Sequence, residues 1–167
     1  QFFFLHIPKT AGTTMVLILA RLFRWKKKLS YYTPMGRKNY AKHTSEYKNK
    51  FPISFGHIPF NVNESIPRGI EYFTFLRKPR EHLLSAYKHV KSGKNHGVHK
   101  LVNVAEYSLK DFLKSGVARN SDNLSVRFLS GQFEKPYLQI NEEDLQLAIK
   151  NFDTHFSIFG ITEYFDE

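Results

Sequence analysis

The sequence predicts an α/β domain with a central, mainly parallel sheet flanked by helices. Three observations predict it. Strand-like and helix-like segments alternate along the 167 residues. The strand-like runs QFFFLHI, FPISFGHIPF, IEYFTFL and HFSIFGI are apolar on both faces, as strands covered by helices on either side must be. The 16 Phe and 9 Tyr supply the bulk for one well-filled core at this length.

Each element has its own signal. QFFFLHI is apolar almost without interruption and reads as a buried strand. TTMVLILARLF reads as a helix, apolar nearly all round at first, as for a helix packed in a core. The polar, basic stretch 26–50 contains the breakers Pro34 and Gly36 and reads as loop or irregular structure. FPISFGHIPF is a short strand closed by Gly56 and Pro59. IEYFTFL, at 70–76, runs into RKP, where Pro79 suits the first turn of a helix. That helix, PREHLLSAYKHV, puts Leu83, Ala86, Tyr87 and Val90 on one face, and residues 91–104 read as a mobile loop.

Further on, SLKDFLKSG has Ser108 as N-cap, Asp111 as its capping-box partner and Gly116 as the stop. A short helix over 123–130 ends at Gly131. NEEDLQLAIKNF takes Asn141 as N-cap, acids in its first turn, and Leu145, Ala148, Ile149 and Phe152 on one stripe. HFSIFGI returns as a strand. No repeat, low-complexity tract or second domain is evident, so residues 1–167 read as one domain. An α/β fold usually adds a helix after the last strand, and the expectation is that part of the C-terminal side lies outside this sequence.

Composition narrows the chemistry. There are no cysteines, which excludes disulfides, thiolate zinc sites and thiol nucleophiles. The net charge of +10 favours an anionic partner or substrate. The excess gathers in RWKKK at 24–28, RKNYAK at 37–42 and the stretch 88–100, each of which, taken alone, is equally a solvated basic face. No apolar run reaches the ~18–20 residues of a membrane span, so membrane association of this segment is not expected. No zinc finger, RGG repeat or RNP-like motif supports nucleic acid as a partner. The sequons at Asn63 and Asn123 are too common a pattern to decide the compartment. His82 and His89 are expected at the surface, and His6 buried with a hydrogen-bond partner.

The chemistry concentrates in HIPKTAGTT, residues 6–14. Strand, short Gly-containing turn, helix is a geometry that cradles phosphate: free backbone N–H groups and the positive end of the helix face the anion. Lys9 can neutralise charge. Thr10, Thr13 and Thr14 can donate hydroxyl hydrogen bonds, and Gly12 can take a backbone conformation closed to other residues. Lys9 comes three residues before Gly12, so this is not the GxxxxGK[ST] loop. The competing reading is a structural turn with Thr13 as N-cap, which leaves Lys9 unexplained.

HIPKTAGTT resembles the 5′-phosphosulfate-binding loop of sulfotransferases that use 3′-phosphoadenosine 5′-phosphosulfate (PAPS). Its form is closest to the carbohydrate enzymes related to the heparan and uronyl 2-O-sulfotransferases. The resemblance implies a P-loop-like three-layer fold. It also implies that Lys9 contacts the phosphosulfate and that Thr10, Ala11, Gly12, Thr13 and Thr14 form the loop around the 5′-phosphate. FTFLRKPREHLLSAY resembles the family's 3′-phosphate element, with Arg77 at a strand end and Ser85 eight residues on. Arg offers a rigid fork of donors to phosphate, though a strand-end Arg also reaches solvent without a ligand.

FGHIPF resembles the stretch that carries the catalytic histidine, which makes His57 the general base, against the alternative of a structural histidine. Some relatives carry a further His where this chain has Phe55. DNLSVRFLSG resembles a family helix whose Arg, here Arg127, lies near cofactor or acceptor or packs across the helix layer. FGITEYFDE resembles the family's strand followed by Thr-Glu and is read here as a strand terminus.

The resemblance thus implies sulfuryl transfer from PAPS, without a metal, to a hydroxyl of a carbohydrate, including an anionic glycan. It implies a Golgi lumen setting for an animal enzyme and a cytoplasmic one for a bacterial enzyme. Two other readings compete: a nucleotide-dependent kinase of P-loop type, and a non-catalytic polyanion-binding module. Nothing in the sequence identifies an oligomeric interface.

Overall fold

The computed structural model describes residues 1–24, 26–60, 69–92, 106–116 and 122–165. It contains one five-stranded sheet between layers of helices, so the α/β expectation holds. The strands are β1 (Phe2–Leu5), β2 (Lys28–Tyr31), β3 (Ile53–Gly56), β4 (Glu71–Leu76) and β5 (Phe156–Ile161). Their order is β2-β3-β1-β4-β5, and every pair is parallel. β1 and β3 pair with Leu5 opposite Gly56, and β4 and β5 pair with Leu76 opposite Ile161. All strands therefore end at one edge. The chain fills one side of β1 first and then crosses to the other, so the order reverses at β1. A crevice at the carboxyl ends of such strands is where parallel α/β folds bind ligands.

The helices are α1 (Gly12–Leu22), α2 (Pro34–Lys42), α3 (Ser45–Lys48), α4 (Pro79–Ser92), α5 (Leu109–Ser115), α6 (Leu124–Ser130) and α7 (Glu142–His155). Successive strand residues point to opposite faces, and β1 shows it directly. Phe3 and Leu5 enter a cluster with Tyr31, Tyr40, Tyr72 and Phe128, under α2 and α6. Phe4 enters a second cluster with Leu19, Ile53 and Phe55, under α1. Stacked and edge-on aromatic pairs fill both, among them Phe4–Phe73 at 5.0 Å and Phe3–Tyr72 at 5.4 Å between ring centres. Each such buried ring contributes about 2–3 kcal/mol of apolar transfer.

Local signals held where the cap is local. Ser108 caps α5 with Asp111 in a capping box, and Gly116 ends it in a left-handed conformation. Asn141 caps α7 with Asp144 in the same way. Three expectations are corrected. The stretch 26–50 is not irregular: it forms β2, α2 and α3. Their local pattern is weak because they are held by tertiary contacts, such as Tyr40 against Phe3 at 5.6 Å and against Tyr31 at 5.1 Å.

α1 is not enclosed by core. It lays Met15, Val16 and Leu19 on the sheet and leaves Leu17 at 60% and Leu22 at 73% exposure. The stripe on α7 is only half covered, with Ala148 buried and Leu145 and Ile149 exposed. The expected loop at 91–104 lies, from residue 93 onward, outside the described residues, while residues 91 and 92 close α4. No helix among the described residues is long and apolar enough to cross a membrane.

Candidate active site

The loop between β1 and α1 is wound tightly. Lys9 (φ 71°) and Ala11 (φ 58°) both sit in the left-handed region, at a cost of roughly 1–2 kcal/mol each for a residue with a Cβ. Interactions from around the loop over-determine this shape. Thr10 is fully buried and its Oγ1 donates to the Ile7 carbonyl at 2.7 Å. His82 Nε2 donates to the Pro8 carbonyl at 2.7 Å, and Arg77 Nη1 donates to the Lys9 carbonyl at 3.1 Å. A trans peptide points its N–H opposite to its carbonyl, so the amides of Lys9 and Thr10 face away from His82 and Arg77.

α1 then begins with Ala11 as N-cap and no side-chain cap. Met15 N–H is the amide that returns to the Ala11 carbonyl, at 3.1 Å. The amides of Gly12, Thr13 and Thr14 lie ahead of it in the turn that has no intrahelical acceptor. Strained residues, inward carbonyls and an uncapped helix start together give a backbone geometry able to cradle an anion.

Three readings of this loop change. Thr13 is not the N-cap; it is exposed in the first turn of α1. Gly12 is not needed for a positive φ. A Cβ there would lie 1.7 Å from His6 Nε2, so glycine is required because the His6 ring packs on its Cα. Thr10 lends its hydroxyl to the loop itself and does not present it to a ligand.

The other expected residues come together. One cleft of about 490 Å³ is lined by Lys9, Ala11, Gly12, Thr13 and Thr14 of the loop, with His57, Arg77 and Ser85 around it. His6 and His89 line it as well. A second hollow of about 330 Å³ shares Lys9, Arg77, Ser85 and His89 and adds Glu81, Lys88 and Ser92. Residues 81, 85, 88, 89 and 92 form a polar stripe at helical spacing along α4. That periodicity was present in the sequence and would have found His89 and Lys88. The two hollows gather Lys9, Arg77 and Lys88 beside Glu81, and burial first, then the neighbouring Arg77, lower the Lys9 pKa.

His57 stands just past the end of β3. Its Nδ1 lies 2.7 Å from the His6 carbonyl oxygen. A carbonyl only accepts, so the ring proton of neutral His57 is on Nδ1 and Nε2 carries the basic lone pair. The His6 ring lies 4.4 Å from the His57 ring, and Tyr32 packs edge-on to His57 at 4.8 Å. His6 Nδ1 bonds the Tyr32 hydroxyl at 2.8 Å, which gives it the buried, partnered state expected from the sequence. Burial first, then His57 and Lys9, push the His6 pKa down to about 3, so its ring is neutral at any physiological pH. Phe55 is buried in the core beneath α1. The second imidazole beside His57 is therefore His6, just past the end of β1, and not a residue two positions upstream.

Two further residues depart from expectation. His82 is buried, not at the surface, because it ties down the loop through Pro8. Arg127 is also fully buried. Its Nε donates to the Asp122 carbonyl at 2.9 Å, and Nη1 to the carbonyls of Phe133 at 3.4 Å and Lys135 at 2.5 Å. Its Nη2 donates to Asp122 Oδ2 at 2.5 Å and to the Pro136 carbonyl at 2.8 Å. All five N–H groups are taken, so the packing alternative holds and the cofactor-contact expectation for Arg127 is corrected. The Thr162–Glu163 pair is more than a strand terminus, since Glu163 forms an ion pair with Arg77 at 3.6 Å.

No curated protein matches the chain. A family model described as the sulfotransferase family matches residues 1–159, almost the whole chain. That span holds the loop, the β3 and β4 ends, and α4, and we conclude that the chain belongs to the sulfotransferase family.

Proposed function

We propose that this chain transfers the sulfuryl group of PAPS to a hydroxyl of a carbohydrate, with His57 as general base. Membership of the sulfotransferase family supports sulfuryl transfer itself. The observation that carries the finer reading is the grouping of Lys9, the uncapped start of α1, Arg77, Ser85 and His57 around one cleft. The residues fit a donor with a phosphate at each end. The loop amides, Thr13, Thr14 and Lys9 hold the 5′-phosphosulfate, while Arg77 and Ser85 hold the 3′-phosphate about one strand spacing further along the sheet. The acceptor is a carbohydrate hydroxyl, and the surplus of basic charge suits an anionic glycan.

The chemistry follows from these positions. The acceptor oxygen forms a bond to sulfur as the bond from sulfur to the bridging phosphate oxygen breaks. The acceptor proton passes to His57 Nε2, the ring nitrogen left basic by the Nδ1–H bond to the His6 carbonyl. Lys9 and the loop amides take up the charge that grows on the leaving oxygen. Arg77 and Ser85 orient the donor without touching the reacting atoms.

The test is transfer of radiolabelled sulfate from PAPS to a panel of glycans and small alcohols. Lys9→Ala should lower kcat by about 10²–10³-fold. His57→Ala should lower it by about 10²–10⁴-fold at saturating donor and acceptor. Absence of PAPS and bisphosphate binding by the wild type sinks the donor assignment, and full turnover by His57→Ala sinks the base. If only small alcohols are sulfated, the carbohydrate acceptor is wrong.

A further inference from the structure

We propose that Glu163 is a positioning residue for the donor's 3′-phosphate, acting through Arg77. The inference rests on the donor reading above and extends it to a carboxylate outside the cleft lining.

Glu163 lies at the end of β5, in the 3-10 turn Thr162–Tyr164. Leu76 pairs with Ile161 in the sheet, which sets residues 162 and 163 beside residues 77 and 78. Thr162 Oγ1 donates to the Leu76 carbonyl at 2.9 Å. The Lys78 amide donates to both Glu163 oxygens, at 3.3 and 3.2 Å. The carboxylate is thus fixed by backbone, not by a flexible partner.

Arg77 lies between two anchors. Its Nη1 reaches the Lys9 carbonyl, and its Nε lies 3.6 Å from Glu163 Oε1. That Nε is buried without a hydrogen-bond partner, so the ion pair with Glu163 is its electrostatic satisfaction. The side chain is a quarter exposed, and it lines the cleft. A guanidinium is planar, so contacts at Nε and at Nη1 set the direction of its remaining N–H groups. Glu163 removes the freedom of Arg77 to rotate before a phosphate arrives, which is how preorganisation raises affinity. It also joins the end of β5 to the phosphate loop, through Arg77 and the Lys9 carbonyl.

Simple electrostatics predicts the opposite sign. A carboxylate near an anion site repels the anion, so its removal would tighten phosphate binding. Positioning predicts that its removal weakens binding, and only where Arg77 and a 3′-phosphate are both present.

The experiment is calorimetry on the full chain with two probes, adenosine 3′,5′-bisphosphate and adenosine 5′-monophosphate. Glu163→Gln keeps the shape and still accepts from the Lys78 amide; Glu163→Asp shortens the carboxylate. Glu163→Gln should weaken the bisphosphate by about tenfold, leave the monophosphate unchanged, and have no further effect in an Arg77→Ala background. Glu163→Asp should recover part of the loss. The proposal is overturned if Glu163→Gln binds the bisphosphate as well as the wild type or more tightly. It is also overturned if both probes weaken alike, or if the effect persists without Arg77. A wild type that binds the bisphosphate no tighter than the monophosphate overturns the donor reading, and this proposal with it.

Discussion

Arg77 and Arg127 are both held by backbone carbonyls, yet they end in opposite states. Arg127 is fully buried, and its five N–H groups meet oxygens of Asp122, Phe133, Lys135 and Pro136. Arg77 donates one bond to the Lys9 carbonyl, pairs at longer range with Glu163 and keeps a quarter of its side chain exposed. A saturated guanidinium holds a chain segment in place. An unsaturated one, aimed by its neighbours, keeps donors for the phosphate proposed above. Between these two arginines, the count of satisfied donors marks the difference that the motifs did not.

The sharpest way to break this comparison is to truncate both arginines. Arg127→Met leaves the Asp122 carboxylate buried without its cation and frees the carbonyls of Asp122, Phe133, Lys135 and Pro136. It should cost about 3–5 kcal/mol, read by urea or thermal unfolding. Arg77→Met should change stability by less than about 1 kcal/mol, since its ion pair is partly exposed. It should instead weaken the 3′,5′-bisphosphate far more than it lowers kcat. If the two variants lose equal stability, the distinction between them fails.

Next in size is Gly12→Ala. The new methyl would collide with the His6 ring, which is held by Tyr32 and stacked on Phe4 at 5.4 Å. The ring cannot turn aside cheaply, and overpacking of this kind costs about 1–3 kcal/mol. The cause can be isolated. In a His6→Ala background the collision is gone, so Gly12→Ala should then cost only a few tenths of a kcal/mol or stabilise the helix start. An unchanged cost in that background would show that Gly12 serves the loop backbone or the ligand and not the ring.

How much of this was visible in the sequence follows from the range of each interaction. The capping boxes Ser108–Asp111 and Asn141–Asp144 were legible because both partners lie within three residues. β1 and β3 were legible because burial on two faces writes itself into composition. β5 was legible by composition as well, but the expected cover on both faces is corrected there: Ile158 and Phe159 are exposed. β2 was not: KLSY is a polar strand at the sheet edge, and its membership depends on pairing with β3. α2 was hidden because Tyr40 is its buried anchor and meets residues far away in sequence. In the site, the loop and the two strand ends could be read directly. The roles of Arg127, His82 and Glu163 could not. Each depends on particular backbone groups: the carbonyls of Phe133, Lys135 and Pro136, the carbonyl of Pro8 and the amide of Lys78. No side-chain pattern announces those partners.

The smallest predicted effect tests the same rule on a carboxylate. Asp144 is buried at the start of α7, where it accepts from the Asn141 amide at 2.9 Å and from Lys135 Nζ at 2.7 Å. Burial pushes its pKa up, but the bonds from Lys135 and Asn141 outweigh burial and leave it below the ordinary carboxylate value. The unfolded chain therefore takes up a proton before the folded chain does. The stabilisation is fully present above the unfolded pKa of about 4 and is lost as pH falls through the lower, folded value. Asp144→Asn should cost about 1 kcal/mol at pH 7, discounted because Lys135 is one-third exposed. The gap to wild type should close as the pH falls through that lower, folded value. Paired urea titrations across pH 2–7 would show it. A gap that stays constant down to pH 2 would mean that Asp144 acts by shape and cap alone, with no contribution from its charge.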